Sequence, residues 1–275
     1  MDREILLQYL KQFNTFFIEY IKPYIVADYQ GKPFVLFDQI HLITLGAIFL
    51  FIVLIFFSRN KFSERKKEDI RDTMAAILIL NEIAWQLWNY FYNEWAIQTM
   101  LPLHLCSIFV WLSAWMLIKK SYRIYEFAYF MGIGGALQAL LTPDAGIYGF
   151  PHYRFFQIFV SHGFIIIAAA YMTFVEEMRP TWKSILRVAF FTNIYLAAVY
   201  WVNTLIGSNY LYVNQKPATA SVLDMLPDWP TYILYMEAIG LITILVLYLP
   251  FLIKDLIAWI RMRTSGKSRL DDMLS

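Results

Sequence analysis

Long apolar runs, separated by short basic or turn-rich stretches, set the pattern of this chain. Seven runs approach the roughly 20 residues that a helix needs to cross hydrocarbon: 39–57, 72–92, 99–118, 122–141, 154–175, 184–206 and 231–253. The connections are short. The fourth and fifth runs are joined across TPDAGIYGFPH, whose Pro and Gly mark a turn. The longest loop, 207–230, holds Pro217, Pro227 and Pro230 and is expected to be ordered against the mouth of a bundle. The pattern predicts an all-α fold, a polytopic membrane bundle of seven transmembrane helices.

Ahead of the first run, ILLQYLKQFNTFFIEYI has a helical period. Ile5, Leu6, Tyr9, Leu10, Phe13, Phe16, Phe17, Tyr20 and Ile21 share one broad face, with Gln8, Lys11, Gln12, Asn14, Thr15, Glu19 and Lys22 mostly opposite. Its charges forbid a span, so it reads as an amphipathic helix lying on the surface or capping the bundle mouth. No small-residue cleavage site follows the first long run, so no cleavable signal peptide is expected. The expected organisation is a leader over 1–38, a transmembrane domain over 39–255 and a basic tail over 256–275. Inside the fourth run, MGIGGALQA spaces Gly132 from Ala136 and Gly135 from Ala139 by four, which lets helices approach closely.

Composition agrees with a membrane chain. Hydrophobic residues make up 59% and charged residues 16%, against about a quarter charged in soluble domains. A net charge of +2 argues against nucleic acid as a partner. One cysteine leaves no intramolecular disulfide. Charge also orients the chain. Seventeen of the 23 Lys and Arg residues fall in the loops after runs one, three and five and in the tail, and 6 fall on the other side. The positive-inside rule then predicts an outer N-terminus, a cytoplasmic C-terminus and a multi-pass protein of the cell membrane.

Polar side chains within the runs are costly and usually face a bundle interior or a wet cavity. Glu82, Gln86, Asn89 and Asn93 form one helical stripe from mid-membrane to the outer mouth. His104, Ser107 and Trp111 share a face of the third run. Gln138, Gln157, Ser161 and His162 flank the fourth and fifth runs at their outer ends, and Asn193, Tyr200, Asn203 and Glu237 occupy the last two. His41 and His152 complete the histidines, all four in or near the outer half. The expectation is a polar cavity opening outward above a closed basic face, with helices 2, 3 and 5 meeting around it.

Two chemistries and two roles without chemistry fit such a cluster. A nucleophile could work with a histidine base. Cys106 is two positions from His104 and points to the opposite helical face, whereas Ser107 shares the His104 face. Cys106 could instead meet a base on another helix, such as His162. A metal hydrolase would use His104, His152, His162 and a carboxylate, yet no HxxxH or HExxH spacing is present, so no metal or other cofactor is expected. A transporter or sensor would bind a small molecule without chemistry, and a structural partner in a membrane complex would need no site.

The strings LPLHLC at 101–106, LLTPD at 140–144 and FPHYRFFQIFVSHG at 150–163 resemble the YwaF family of bacterial integral membrane proteins. More distantly the chain is similar to the eukaryotic transmembrane protein 164 family, and that likeness implies cysteine-dependent acyl transfer onto lysophospholipids. The histidine of that pattern is matched by His104. Its cysteine position is held by Leu103, and Cys106 stands two residues after the histidine, so Ser107 or an activated water is the alternative nucleophile. The expected function is acyl transfer or hydrolysis on membrane lipids. His104 or His162 would be the base, Glu82 would orient or polarise, and Ser107 or Cys106 would attack. Gln86, Asn89, His152, Gln157, Asn203 and Glu237 would bind substrate.

Overall fold

The computed structural model describes residues 12, 14–216 and 222–274. Helices are the only regular secondary structure among them. The main ones are α1 (Gln39–Ser58), α2 (Glu64–Phe91), α3 (Leu105–Lys119), α4 (Tyr122–Leu141), α5 (Tyr153–Phe174), α6 (Trp182–Ile206) and α7 (Thr231–Leu274). α4 is one continuous run with a π-helical stretch at Ala128–Gly132. Five of these helices, α1, α4, α5, α6 and α7, are long and apolar enough to cross a membrane. α2 is long, but its first turns are charged, and α3 is apolar but has only 15 residues.

Local chemistry explains the ends. The Asp38 carboxylate accepts from the His41 N–H at 2.8 Å and starts α1. Ser63 caps α2, and Thr181 with Ser184 forms a capping box on α6. Gly207, at φ +66°, ends α6 in the left-handed region that glycine adopts freely. α7 runs well past its expected end, through Pro250 to Leu274.

Two boundaries differ from the sequence expectation. α2 begins at Glu64 rather than 72, because charged residues continue the helix out of the apolar run. α3 begins at Leu105 rather than 99. Met100 and Leu103 are instead packed in turns, Leu103 against the buried Tyr210 and Leu211. Of the leader, residues 1–11 and 13 lie outside the described residues. Its described part ends in a π turn at Phe17–Ile21 and a 3-10 turn at Lys22–Tyr24, with Phe16 and Tyr20 exposed.

α5 is the central helix. Its apolar window is 72% buried, against 11% for α1, α6 and α7, which present most of their surface outward. α1, α2, α3 and α4 all pack on α5, and α2 and α3 pack on each other. Helices 2, 3 and 5 therefore do meet. Glycine brings α4 in close: a β-carbon at Gly132 would sit 3.3 Å from both Phe109 of α3 and Ile165 of α5.

Charge pairs tie one end of the bundle. Glu176, with 3% of its side chain exposed, pairs with Arg71 and Lys120, and Arg71 also donates to the Leu117 carbonyl. The fully buried Glu126 accepts from Ser184 and Arg187, joining α4 to α6. The opposite end is strapped by residues 25–34. Trp88 Nε1 donates to the Ile25 carbonyl at 2.7 Å, Tyr148 hydroxyl to Ala27 at 2.8 Å, and His152 Nε2 to Val26 at 3.0 Å.

Candidate functional site

The candidate residues lie in the first turn of α3 and in the first half of α5, two helices that start from the same end of the bundle. His104 is the N-cap of α3, with extended backbone (φ −70°, ψ 146°) and no side-chain cap. It is therefore not a helical residue, and the opposite-faces argument between His104 and Cys106 does not apply. Leu105, Cys106 and Ser107 form the first turn. Their N–H groups have no intrahelical acceptor, and no backbone carbonyl among the described residues takes its place. Such donors suit an anion or a developing oxyanion.

The neighbours of Gly132 fix how α3 meets α5. Phe109 and Ile165 both converge on it. Cys106 lies three residues before Phe109, and His162 three before Ile165, so each shares its partner's helical face. Both helices run in the same direction from this end, so each carries its candidate one turn before its contact with Gly132. At Gly135 of α4 a β-carbon would be 3.9 Å from Leu105. Ser107 is partly exposed, next to Cys106 in the same turn.

The two histidines carry opposite tautomers. His162 Nδ1 lies 2.7 Å from the Ile158 carbonyl, which can only accept, so Nδ1 holds the proton. Its Nε2 is then a bare lone pair with no partner among the described residues. His104 Nδ1 accepts from the Leu211 N–H at 3.4 Å, which puts its proton on Nε2. The partner of one ring nitrogen sets the role of the other. His162 is thus set up as a base and His104 as a donor. His104 packs between the Tyr210 and Tyr212 rings, 5.1 and 5.6 Å between centroids.

The α2 stripe is partly assembled. Glu82 is buried and accepts from Gln86 Nε2 at 2.9 Å. Gln86 also reaches the Met100 carbonyl and accepts from Trp95 Nε1. Asn89 is buried and donates to the Trp85 carbonyl of its own helix. Asn93 lies beyond the helix end at φ +58°. Gln157 accepts from Arg154, and Asn81 bridges α2 to α5 through the Gln157 carbonyl and Ser161 hydroxyl, at 3.1 and 2.8 Å.

Other polar residues named from the sequence are engaged elsewhere. His152 is fully buried, where a substrate-binding position was expected. It caps α5 by accepting from the Arg154 N–H at 3.0 Å and stacks on Tyr148. Burial holds its pKa below the usual histidine value, helped by the Arg154 charge and opposed by the Val26 carbonyl. His41 is also fully buried, between the Phe37 N–H and the Leu140 carbonyl. Asn203 staples the following loop through Tyr210, Asn214 and Ser208. Glu237 accepts from Asn193 at 3.2 Å, linking α7 to α6. Among the described residues, no group of three or more His, Cys, Asp or Glu side chains could hold a metal ion.

An apolar groove of about 280 Å³ runs along α3. It starts at Leu105, passes Ile108, Phe109 and Leu112 of α3, and ends by Arg123 and Ile124 of α4, with Phe191, Thr192 and Tyr195 of α6 as the third wall. Tyr195 anchors that wall by donating to the Leu103 carbonyl at 2.8 Å. Sequence reasoning did not foresee this groove, because its walls look like ordinary apolar helix. It also left Arg154 and Tyr153 out of the site, although both lie in a quoted motif.

The family model for the TMEM164 family matches residues 36–248. No curated protein and no solved structure matches the chain.

Proposed function

We propose a function from one premise, that the chain belongs to the TMEM164 family: it transfers or hydrolyses acyl chains of membrane lipids at the mouth formed by α3 and α5. The observation that carries this reading is the apolar groove that begins at Leu105, one residue from Cys106. A fatty acyl chain laid in the groove brings its ester to the first turn of α3.

The steps follow from the residues present. His162 Nε2 takes the proton of the attacking group as it adds to the ester carbonyl. Cys106 is the preferred attacker, with the Ser107 hydroxyl or a water as the alternatives. The oxyanion meets the free N–H groups of the α3 first turn, with His104 Nε2–H as a further donor. The ester C–O bond breaks, His162 returns the proton to the departing alcohol, and the acyl group stays on Cys106 as a thioester. A second alcohol or a water then repeats the sequence in reverse. Glu82 holds Gln86 in place at the mouth.

We further read α2 and α3 as spans beside the five longer helices, giving seven, with the N-terminus and the site outside and the C-terminus in the cytoplasm. The 17-to-6 division of Lys and Arg supports this. The strings at 101–106, 140–144 and 150–163 support a place in the YwaF branch and in the cell membrane.

Purified protein incubated with a phospholipid and measured by intact mass tests the chemistry. The expected result is a covalent acyl adduct, removed by neutral hydroxylamine and absent in Cys106→Ala. An adduct that persists in Cys106→Ala but is lost in Ser107→Ala moves the nucleophile. Turnover without any adduct makes water the attacker, and no turnover with any lipid contradicts the reading.

A further inference from the structure

α7 turns one face to the bundle and another outward. Ile244, Tyr248 and Phe251 pack on the core. Asp255 continues that face and accepts from Arg179 Nη2 with both carboxylate oxygens, at 2.8 and 2.7 Å. The opposite face has a seven-residue period. Ile239, Val246 and Ile253 take its a positions, Ile242, Leu249 and Leu256 its d positions, and Ile260 is the next a. All seven are between 48% and 61% exposed.

Lipid tails account for only part of this exposure. The apolar run of α7, Thr231–Arg261, has 31 residues. At a rise of 1.5 Å per residue it is about 46 Å long, and hydrocarbon takes up about 30 Å. The ion pair of Arg179 and Asp255 marks where the bundle leaves the hydrocarbon, because charge is expensive inside it. The helix continues past that pair. Tilting α7 would shorten its span, but it would draw the ion pair into the tails as well. Leu256 and Ile260 therefore stay in register with the stripe at a level that tails do not reach. There the competitor for the face is water, and covering it is favourable.

The register identifies what covers it. β-Branched residues at a with Leu at d favour two parallel strands, and here only Ile242 departs from that choice. Copies of one chain share one orientation in a membrane, so their α7 helices meet in parallel, about a two-fold axis along the membrane normal. The seven stripe residues, with Leu245, Leu252 and Trp259 beside them at g, expose on the order of 1,000 Å², against the roughly 800 Å² that each partner buries in a stable interface. Pro250 falls at e, beside the seam, and the helix runs on through it. Arg263, at the next d, lies over Trp259 with Cζ 4.1 Å from the ring centroid, and its charge ends the apolar seam.

We propose that the outer face of α7 over 239–260 is the contact between two copies of this chain, a parallel helix pair that begins in the membrane and continues beyond it. This pairing is independent of the chemistry at α3 and α5.

Cysteine cross-linking of the full-length protein in its membrane tests it, in a Cys106→Ser background that leaves one thiol per variant. Under mild oxidation Leu256→Cys should give a disulfide-linked dimer, because a d residue faces its own copy across the pair. Ala258→Cys, exposed two residues further on at position f, should stay monomeric. Light scattering in mild detergent should give the wild type a protein mass of two chains. The double variant Leu256→Glu, Ile260→Glu, whose charges lie past the hydrocarbon and leave insertion alone, should have the mass of one. Equal cross-linking at 256 and 258 would overturn the register. A single-chain mass for the wild type, without cross-linking at 256, would leave the face to lipid or to another protein and overturn the proposal. A two-chain mass that survives in the double variant would place the contact elsewhere and overturn it too.

Discussion

The Nδ1 of His162 stands 2.7 Å from the carbonyl of Ile158, one helical turn back. This bond leaves Nε2 as the lone pair, so His162 and not His104 should be the base. His162→Gln should lower acyl turnover by about 10²- to 10⁴-fold without lowering protein yield. His104→Gln, which keeps a donor at that place, should cost less. Steady-state rates on matched protein check this, and a larger loss in the His104 variant would reverse the roles.

The groove should measure the acyl chain. Leu112 lines it about two turns below Cys106. Leu112→Trp fills that depth, so long-chain substrates should lose rate while short-chain ones keep it. Competition between a palmitoyl and an octanoyl substrate reads the shift. Unchanged selectivity would place the chain elsewhere.

His152 links stability to acid. Burial lowers its folded-state pKa, so the unfolded chain takes up the proton first as pH falls through about 6.5. The unfolded state then binds more protons, and stability drops as pH falls from there towards the folded value. Wild type should lose melting midpoint between pH 7.5 and pH 5.5, and His152→Gln should lose less. Equal losses would assign the acid sensitivity to another group.

Glu176 joins Arg71 and Lys120 at the closed end. Glu176→Gln leaves the nearly buried Arg71 without its counter-charge and should cost on the order of 3 kcal/mol. Lys120 is 44% exposed and contributes little of that. Denaturant unfolding measures the change. A loss well under about 1 kcal/mol would mean that Arg71 finds water instead.

Much of the helical architecture could be read in the sequence, because hydropathy marks apolar runs whatever they pack against. The start of α3 could not. Met100, Leu101 and Leu103 have the hydropathy of a span, but they fill a turn under Tyr210, which folds back from a loop more than a hundred residues on. Residue type also marked the polar positions without revealing their partners. His152 and Asn203 look like cavity groups in sequence, and each is engaged by backbone, His152 by Val26 and Arg154 and Asn203 by Tyr210. Backbone acceptors leave no mark on composition. Arg154 entered only as one of the few outer charges, since nothing in a linear pattern shows that its guanidinium lies over Trp85. The packing of α3 and α5 on α4 depends on Gly132, whose missing side chain is visible in sequence but whose two neighbours, Phe109 and Ile165, are not.

The most direct measurement is untargeted lipidomics of cells overproducing the wild-type chain, set against His162→Gln at equal protein level. The account predicts that one class of membrane phospholipid changes its acyl composition with the wild type alone. Identical lipid profiles, or a change that survives in His162→Gln, would contradict it and point to transport or sensing instead.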